Sequence, residues 1–231
     1  MIFRQMFEPE SSTYTYLLGC PDTGAAVLID PVLETAERDL AAVHDLGLTL
    51  AWTVETHVHA DHVTAAARLR ALTGCKVAYP AGEEIAGADS YLSEMDGLEI
   101  GGVALRPLFT PGHTDNHHCY LVHGRVFTGD TLLIDGCGRT DFQGGCAATL
   151  YRSVRDKLFA LPDDTLVYPA HDYRQRRVST IGRERTNNSR LGGDRSPEGF
   201  VALMAELNLP YPKKIDVAVP ANLRCGEPAE S

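Results

Sequence analysis

No stretch of this 231-residue chain runs to about 18 consecutive apolar residues, so no membrane-spanning helix is expected. The cysteines are unpatterned. Cys20, Cys75, Cys119, Cys137, Cys146 and Cys225 stand at irregular spacing with no Cys-x-x-Cys pair, which argues against a disulfide framework and against a thiolate zinc site. Reduced, mostly structural thiols are the reading that is left. Basic charge is also short: 21 Lys and Arg against 31 Asp and Glu give a formal net charge of -10, which disfavours a nucleic-acid backbone as partner. Met1 to Glu8 carry neither the apolar core of a secretory signal nor the Arg/Ser bias of a transit peptide. The expectation is a soluble, cytoplasmic protein with no membrane and no nucleic acid among its partners, and no repeat or low-complexity segment interrupts it.

Hydrophobic residues make up 44% of the chain, enough for a substantial core, and one domain over 1–231 with a short Pro-rich tail from about 211 is expected. Thr13–Leu18 and Ala25–Asp30 read as two paired strands joined by the turn Pro21-Asp22-Thr23-Gly24. Leu40, Val43 and Leu46 are spaced for a helix from Thr35, with Gly47 placed to end it, and Leu50–Val54 follows as a strand. Further helices are expected over 63–72, 147–158 and 197–207, with a mainly β middle and a strand at 165–168. Strands and helices alternating in two successive halves suggest an α/β (α+β) fold, a four-layer αββα sandwich.

Directly after Leu50–Val54 stands Thr56-His57-Val58-His59-Ala60-Asp61-His62, three imidazoles and a carboxylate in six residues. Imidazole and carboxylate together suit zinc, iron or manganese, and a loop leaving a rigid strand can make such ligands converge. Three more candidates sit at strand ends: His113 in Thr110-Pro111-Gly112-His113-Thr114, Asp130 in Phe127-Thr128-Gly129-Asp130, and His171 in Tyr168-Pro169-Ala170-His171-Asp172. Burying His57, His59, Asp61 and His62 would be costly without a metal or hydrogen bonds to compensate. His44 and His123 stand alone and are given no role.

The order His-x-His-x-Asp-His, then His113, Asp130 and His171, resembles the metallo-β-lactamase superfamily. The resemblance implies that His57, His59, His113 and Asp130 could hold one metal and Asp61, His62, Asp130 and His171 a second. Other stretches narrow it. Gly136-Cys137-Gly138-Arg139-Thr140-Asp141-Phe142-Gln143, His171-Asp172-Tyr173, Val178-Ser179-Thr180 and Ile215 to Gly226 look like the persulfide dioxygenases, the ethylmalonic-encephalopathy protein family, over about Thr13 to Gly226. That resemblance implies one Fe(II) per chain and oxidation of glutathione persulfide with O2 and water to sulfite and glutathione. It carries the iron triad onto His57, His113 and Asp130. Three protein ligands leave octahedral positions open for a substrate sulfur and dioxygen side by side. His59, Asp61, His62 and His171 then orient ligands and bound water, with Tyr173 beside them.

Glutathione persulfide carries two carboxylates, so an acidic protein needs local basic groups to hold it. Arg139 and Arg176 are the candidates, with Tyr173, while Arg174 and Arg177 read as solvated charges; for Arg139 the bland reading is an ion pair with Asp141. Cys137 reads as packing, since no base adjoins it. One departure from the family pattern follows His113-Thr114, where Asp115-Asn116-His117-His118 stand in place of Pro and a small residue. The rival enzyme reading is a glyoxalase-II-like dizinc thioester hydrolase, disfavoured because only about 60 residues follow His171. A metal-dependent sulfur or redox sensor is the non-enzyme rival, and a second copy of the chain, as a homodimer, is the one candidate protein partner.

Overall fold

A computed structural model gives the fold, and it describes residues 1–227. Two compact units divide the chain, 1–105 together with the segment from Tyr211 onward, and 106–210. In the first unit a six-stranded sheet runs in sequence order: β1 (Ile2–Glu8), β2 (Thr13–Gly19), β3 (Ala25–Ile29), β4 (Thr49–Val54), β5 (Lys76–Pro80) and β6 (Ser90–Leu92). The β1–β2–β3 pairs are antiparallel and the pairs from β3 to β6 parallel, so the inner strands read as continuous apolar runs, as in Ala25-Ala26-Val27-Leu28-Ile29. Helix α1 (Ala36–Asp45) covers it through Val43, with Leu40 and Leu46 packed against the same cluster, and Gly47 follows at φ +68°. Helix α2 (Ala66–Thr73) buries Leu69 and ends on left-handed Gly74. β1 and β6 had no clear sequence signal; both lie at sheet edges, where pairing rather than patterning creates the strand.

Strand β7 (Leu98–Ile100) hairpins onto β8 (Val103–Phe109), within which the chain enters the second unit. Strands β9 (His118–Val122), β10 (Arg125–Gly129), β11 (Leu166–Pro169) and β12 (Ser179–Thr180) complete a second six-stranded sheet. β10 and β11 are parallel neighbours, so the loops carrying Asp130 and His171 leave the same end of the sheet. Helix α3 (Ala147–Arg152) continues through wider turns over Ser153–Leu158, and α4 (Ile181–Asn187) and α5 (Pro197–Ala205) follow. Leu150, Val154, Leu158, Val167, Ile181 and Phe200 share one core, each such side chain worth about 1.5–3 kcal/mol on burial.

The expected Pro-rich tail is instead a helix, α6 (Ile215–Asn222), and its residues belong to the first unit. Pro212 and Pro220 hide it in the sequence; Pro220 sits inside the helix. Among the described residues no helix is long and apolar enough to cross a membrane, and the six thiols are free.

Candidate metal centre

In the first unit β4 delivers the histidine loop, and Asp30, at φ +50° after β3, anchors it. Asp30 accepts from the Thr56 backbone N–H at 2.7 Å and from its hydroxyl at 2.9 Å. Since that hydroxyl donates its hydrogen to Asp30, its contact with His57 Nδ1 at 3.0 Å makes His57 the donor and sets the imidazole lone pair on Nε2. His59 places Nε2 3.1 Å from Asp30 Oδ1 and 3.3 Å from Glu55 Oε2. Burial alone would depress the His59 pKa, but the Asp30 and Glu55 carboxylates outweigh it and raise the imidazole well above its usual value. His62 Nδ1 lies 2.9 Å from Asp61 Oδ2. Buried Nδ1 of His59 and Nε2 of His62 have no hydrogen-bond partner among the described residues. Such atoms are costly to bury and mark a place for a ligand. His59, Asp61 and His62 bring donor atoms within 4.8 Å of one another, as do Asp30, Glu55 and His59.

In the second unit His113 Nδ1 donates to the Arg139 carbonyl at 2.7 Å, so in the neutral ring Nε2 holds the lone pair, 3.4 Å from Asp130 Oδ2. Two acceptors facing each other at that distance repel unless a cation lies between them. His171 Nε2 stands 3.6 Å from Asp130 Oδ1, which is buried without a hydrogen-bond partner among the described residues. These donors fit a metal ion. His117, which breaks the family pattern, holds the Asp130 backbone in place: its Nε2 accepts the Asp130 N–H at 3.1 Å, and its Nδ1 lies 3.0 Å from Thr131 Oγ1. His118 turns away, donating from Nδ1 to the Asn116 carbonyl at 2.8 Å.

Tyr173 is 77% exposed and stacks parallel on His171, with ring centroids 6.2 Å apart. Arg139 makes a bidentate pair with Asp141, both arms at 2.7 Å, donates to the Pro210 carbonyl and lies over the Phe142 ring. Arg176 is similarly engaged, with Asp172, Asp135 and the Ile134 carbonyl. Neither guanidinium is a loose basic group awaiting a carboxylate. Cys137 is buried beside Met204, and burial pushes its thiol up to about 11, which suits packing rather than nucleophilic attack.

Sequence reading gave no role to Asn222, although it lies in the terminal stretch that carries the family resemblance. Its buried amide donates to the His59 and His62 carbonyls, both at 2.9 Å, and accepts the Thr64 N–H at 2.9 Å, clamping the histidine loop. Asn222→Ala leaves three buried backbone groups without partners, so a loss of roughly 2–4 kcal/mol is expected in urea unfolding. A loss under about 0.5 kcal/mol, the level of an ordinary surface substitution, would show that the clamp is dispensable.

A family profile of the metallo-β-lactamase superfamily matches residues 9–171. The persulfide dioxygenase ETHE1, mitochondrial, of Bos taurus is 52% identical over 98% of this chain and 89% of its own length. The chain belongs to the persulfide dioxygenase family of that superfamily. The crystal structure of ETHE1 from Myxococcus xanthus superposes with a TM-score of 0.96 at 52% identity, covering 98% of this chain and 100% of that one. The hydroxyacylglutathione hydrolase of Polaromonas sp. is 39% identical over 75% of this chain and 68% of its own length. The fold is therefore the mixed α/β metallo-β-lactamase fold with two sheets.

Proposed function

We propose that this protein is an iron-dependent persulfide dioxygenase: one glutathione persulfide, one O2 and one water give glutathione, sulfite and two protons, with four electrons passing from the outer sulfur to oxygen. The observation that carries the reading is the 52% identity to a persulfide dioxygenase over 98% of the chain, where the hydroxyacylglutathione hydrolase is 39% identical over 75%. His57, His113 and Asp130 are assigned as the residues that would hold one Fe(II). Bound iron supplies the redox chemistry with dioxygen. The chain's own groups do the rest. Thr56 and the Arg139 carbonyl fix His57 and His113 with Nε2 lone pairs presented, and His117 fixes the Asp130 backbone. His59, Asp61, His62 and His171 are assigned to orienting bound water and ligands. Tyr173 is assigned to the substrate rim because its exposed ring covers His171, and Arg139, held by Asp141 and the Pro210 carbonyl, to shaping that rim rather than to clamping a carboxylate with a free arm. Cytoplasmic location stays part of the proposal; the name of the Bos taurus relative places that protein in mitochondria.

One observation favours the dizinc hydrolase reading, namely the partnerless Nδ1 of His59 and Nε2 of His62. Metal stoichiometry separates the two. Anaerobically purified protein should carry close to one iron and little zinc per chain and consume O2 with glutathione persulfide. Two zinc ions per chain in active protein, with no response to iron, would sink the dioxygenase reading.

A further inference from the structure

The loops after β10 and β11 carry Asp130 and His171, and each contains a non-glycine residue in the left-handed region, Asp135 at φ +59° and Gln175 at φ +56°. Such residues persist only where their surroundings hold them. Arg176, on the His171 loop, reaches across to the other. Its Nη2 donates to the Ile134 carbonyl at 2.8 Å and to Asp172 Oδ1 at 2.7 Å, its Nε lies 3.1 Å from the same oxygen, and its Nη1 pairs with Asp135 Oδ2. Asp135 is gripped from behind as well: Arg183 Nη2 lies 3.0 Å from Oδ1, and the Asp135 N–H donates to buried Glu184 at 2.8 Å. Asn188 adds a donor to the Gly136 carbonyl at 3.0 Å. The Asp130 loop is thus fixed to α4 on one side and to the His171 loop, through one guanidinium, on the other.

We infer that Arg176 is a positioning residue whose clasp between the two loops sets the placement of Asp130 against His171 and thereby the affinity and geometry of the metal centre. This rests on the metal reading above. It replaces the substrate-clamp role expected for Arg176 from sequence, because the donors that would meet a glutathione carboxylate already meet protein acceptors. A planar guanidinium can serve Asp172, Asp135 and the Ile134 carbonyl together; an ammonium at the same position reaches fewer of them.

The test compares wild type, Arg176→Ala and Arg176→Lys, using Co(II) added to metal-free protein as the probe and its visible absorption as the readout of coordination. Arg176→Ala should bind Co(II) about 10- to 100-fold more weakly with a changed spectrum. Arg176→Lys should recover melting temperature further than it recovers Co(II) affinity, a split that a charge serving only stability would not give. In oxygen uptake on iron-loaded protein, kcat should fall with KM for glutathione persulfide held within about 2-fold, since positioning acts on the reacting centre rather than on uniform binding. Wild-type affinity and spectrum in the Ala variant would overturn the clasp, whatever its melting temperature. So would a rise in KM alone, which would return Arg176 to substrate binding. A wild type that takes up no Co(II) overturns the metal reading itself, and the clasp with it.

Discussion

Asp130→Ala should abolish both iron retention and oxygen consumption, and yet the metal-free variant should melt no lower than metal-free wild type. The carboxylate faces His113 at 3.4 Å and His171 at 3.6 Å, and its Oδ1 is buried with no hydrogen-bond partner among the described residues, so without metal it is a burden on the fold. Removing it deletes the triad's only carboxylate, the group that offsets the cation's charge. Metal at about 100 times its Kd should stabilise wild type by about 2.7 kcal/mol and the variant not at all. Melting curves in chelator and in excess Fe(II), under anaerobic conditions, read both effects. His171→Ala should by contrast keep its iron and lose about 10- to 100-fold in rate. An Asp130→Ala protein that keeps iron, beside a His171→Ala protein that loses it, would show that these two roles are exchanged.

Gly138→Ala should be nearly as damaging, through a single methyl group. A Cβ there would stand 2.6 Å from the Asp130 carbonyl oxygen, 2.8 Å from His113 Nδ1 and 3.0 Å from Asp130 Cβ. The nearest obstacle is backbone, held by the Gly138 N–H donating to that same carbonyl at 2.7 Å, so the neighbours cannot simply rotate aside. Relief must displace His113, Asp130 or both. Metal affinity should fall by at least about 100-fold, the upper end for changes just outside the ligands, and stability by ~1–3 kcal/mol as in other overpacked sites. Competition against a chelator of known affinity measures the first, urea unfolding the second. Unchanged metal affinity in Gly138→Ala would mean that the signature glycine serves only chain flexibility.

The part of the site legible in sequence was the part written locally. Three imidazoles and a carboxylate following an apolar strand announce a loop whose donors suit a metal, and β3, β4 and α1 declare themselves by runs and periods along the chain. His117 was visible but mute, because its acceptance of the Asp130 N–H depends on β9 lying beside β10. Arg176 read as a substrate clamp, and Arg139 as either that or the partner of Asp141, since a one-dimensional chain does not reveal that Asp135 or Pro210 comes to meet them. Asn222 was obscured by Pro220, which reads as a helix breaker although α6 contains it. Residues that supply chemistry show in the sequence; those that hold them in place belong to the fold.

Asn222 also bears on how the protein is made. It bonds residues 158 to 163 positions earlier, so the histidine loop of the first unit lacks its clamp until Asn222 itself has been made and folded back. The second unit is continuous, 106–210, and can close during synthesis before the first receives its last segment. Contacts this distant in the chain form slowly, because the loop between them must be ordered first. The nascent protein therefore passes through a stage in which the loop from His57 to His62 lacks that lock.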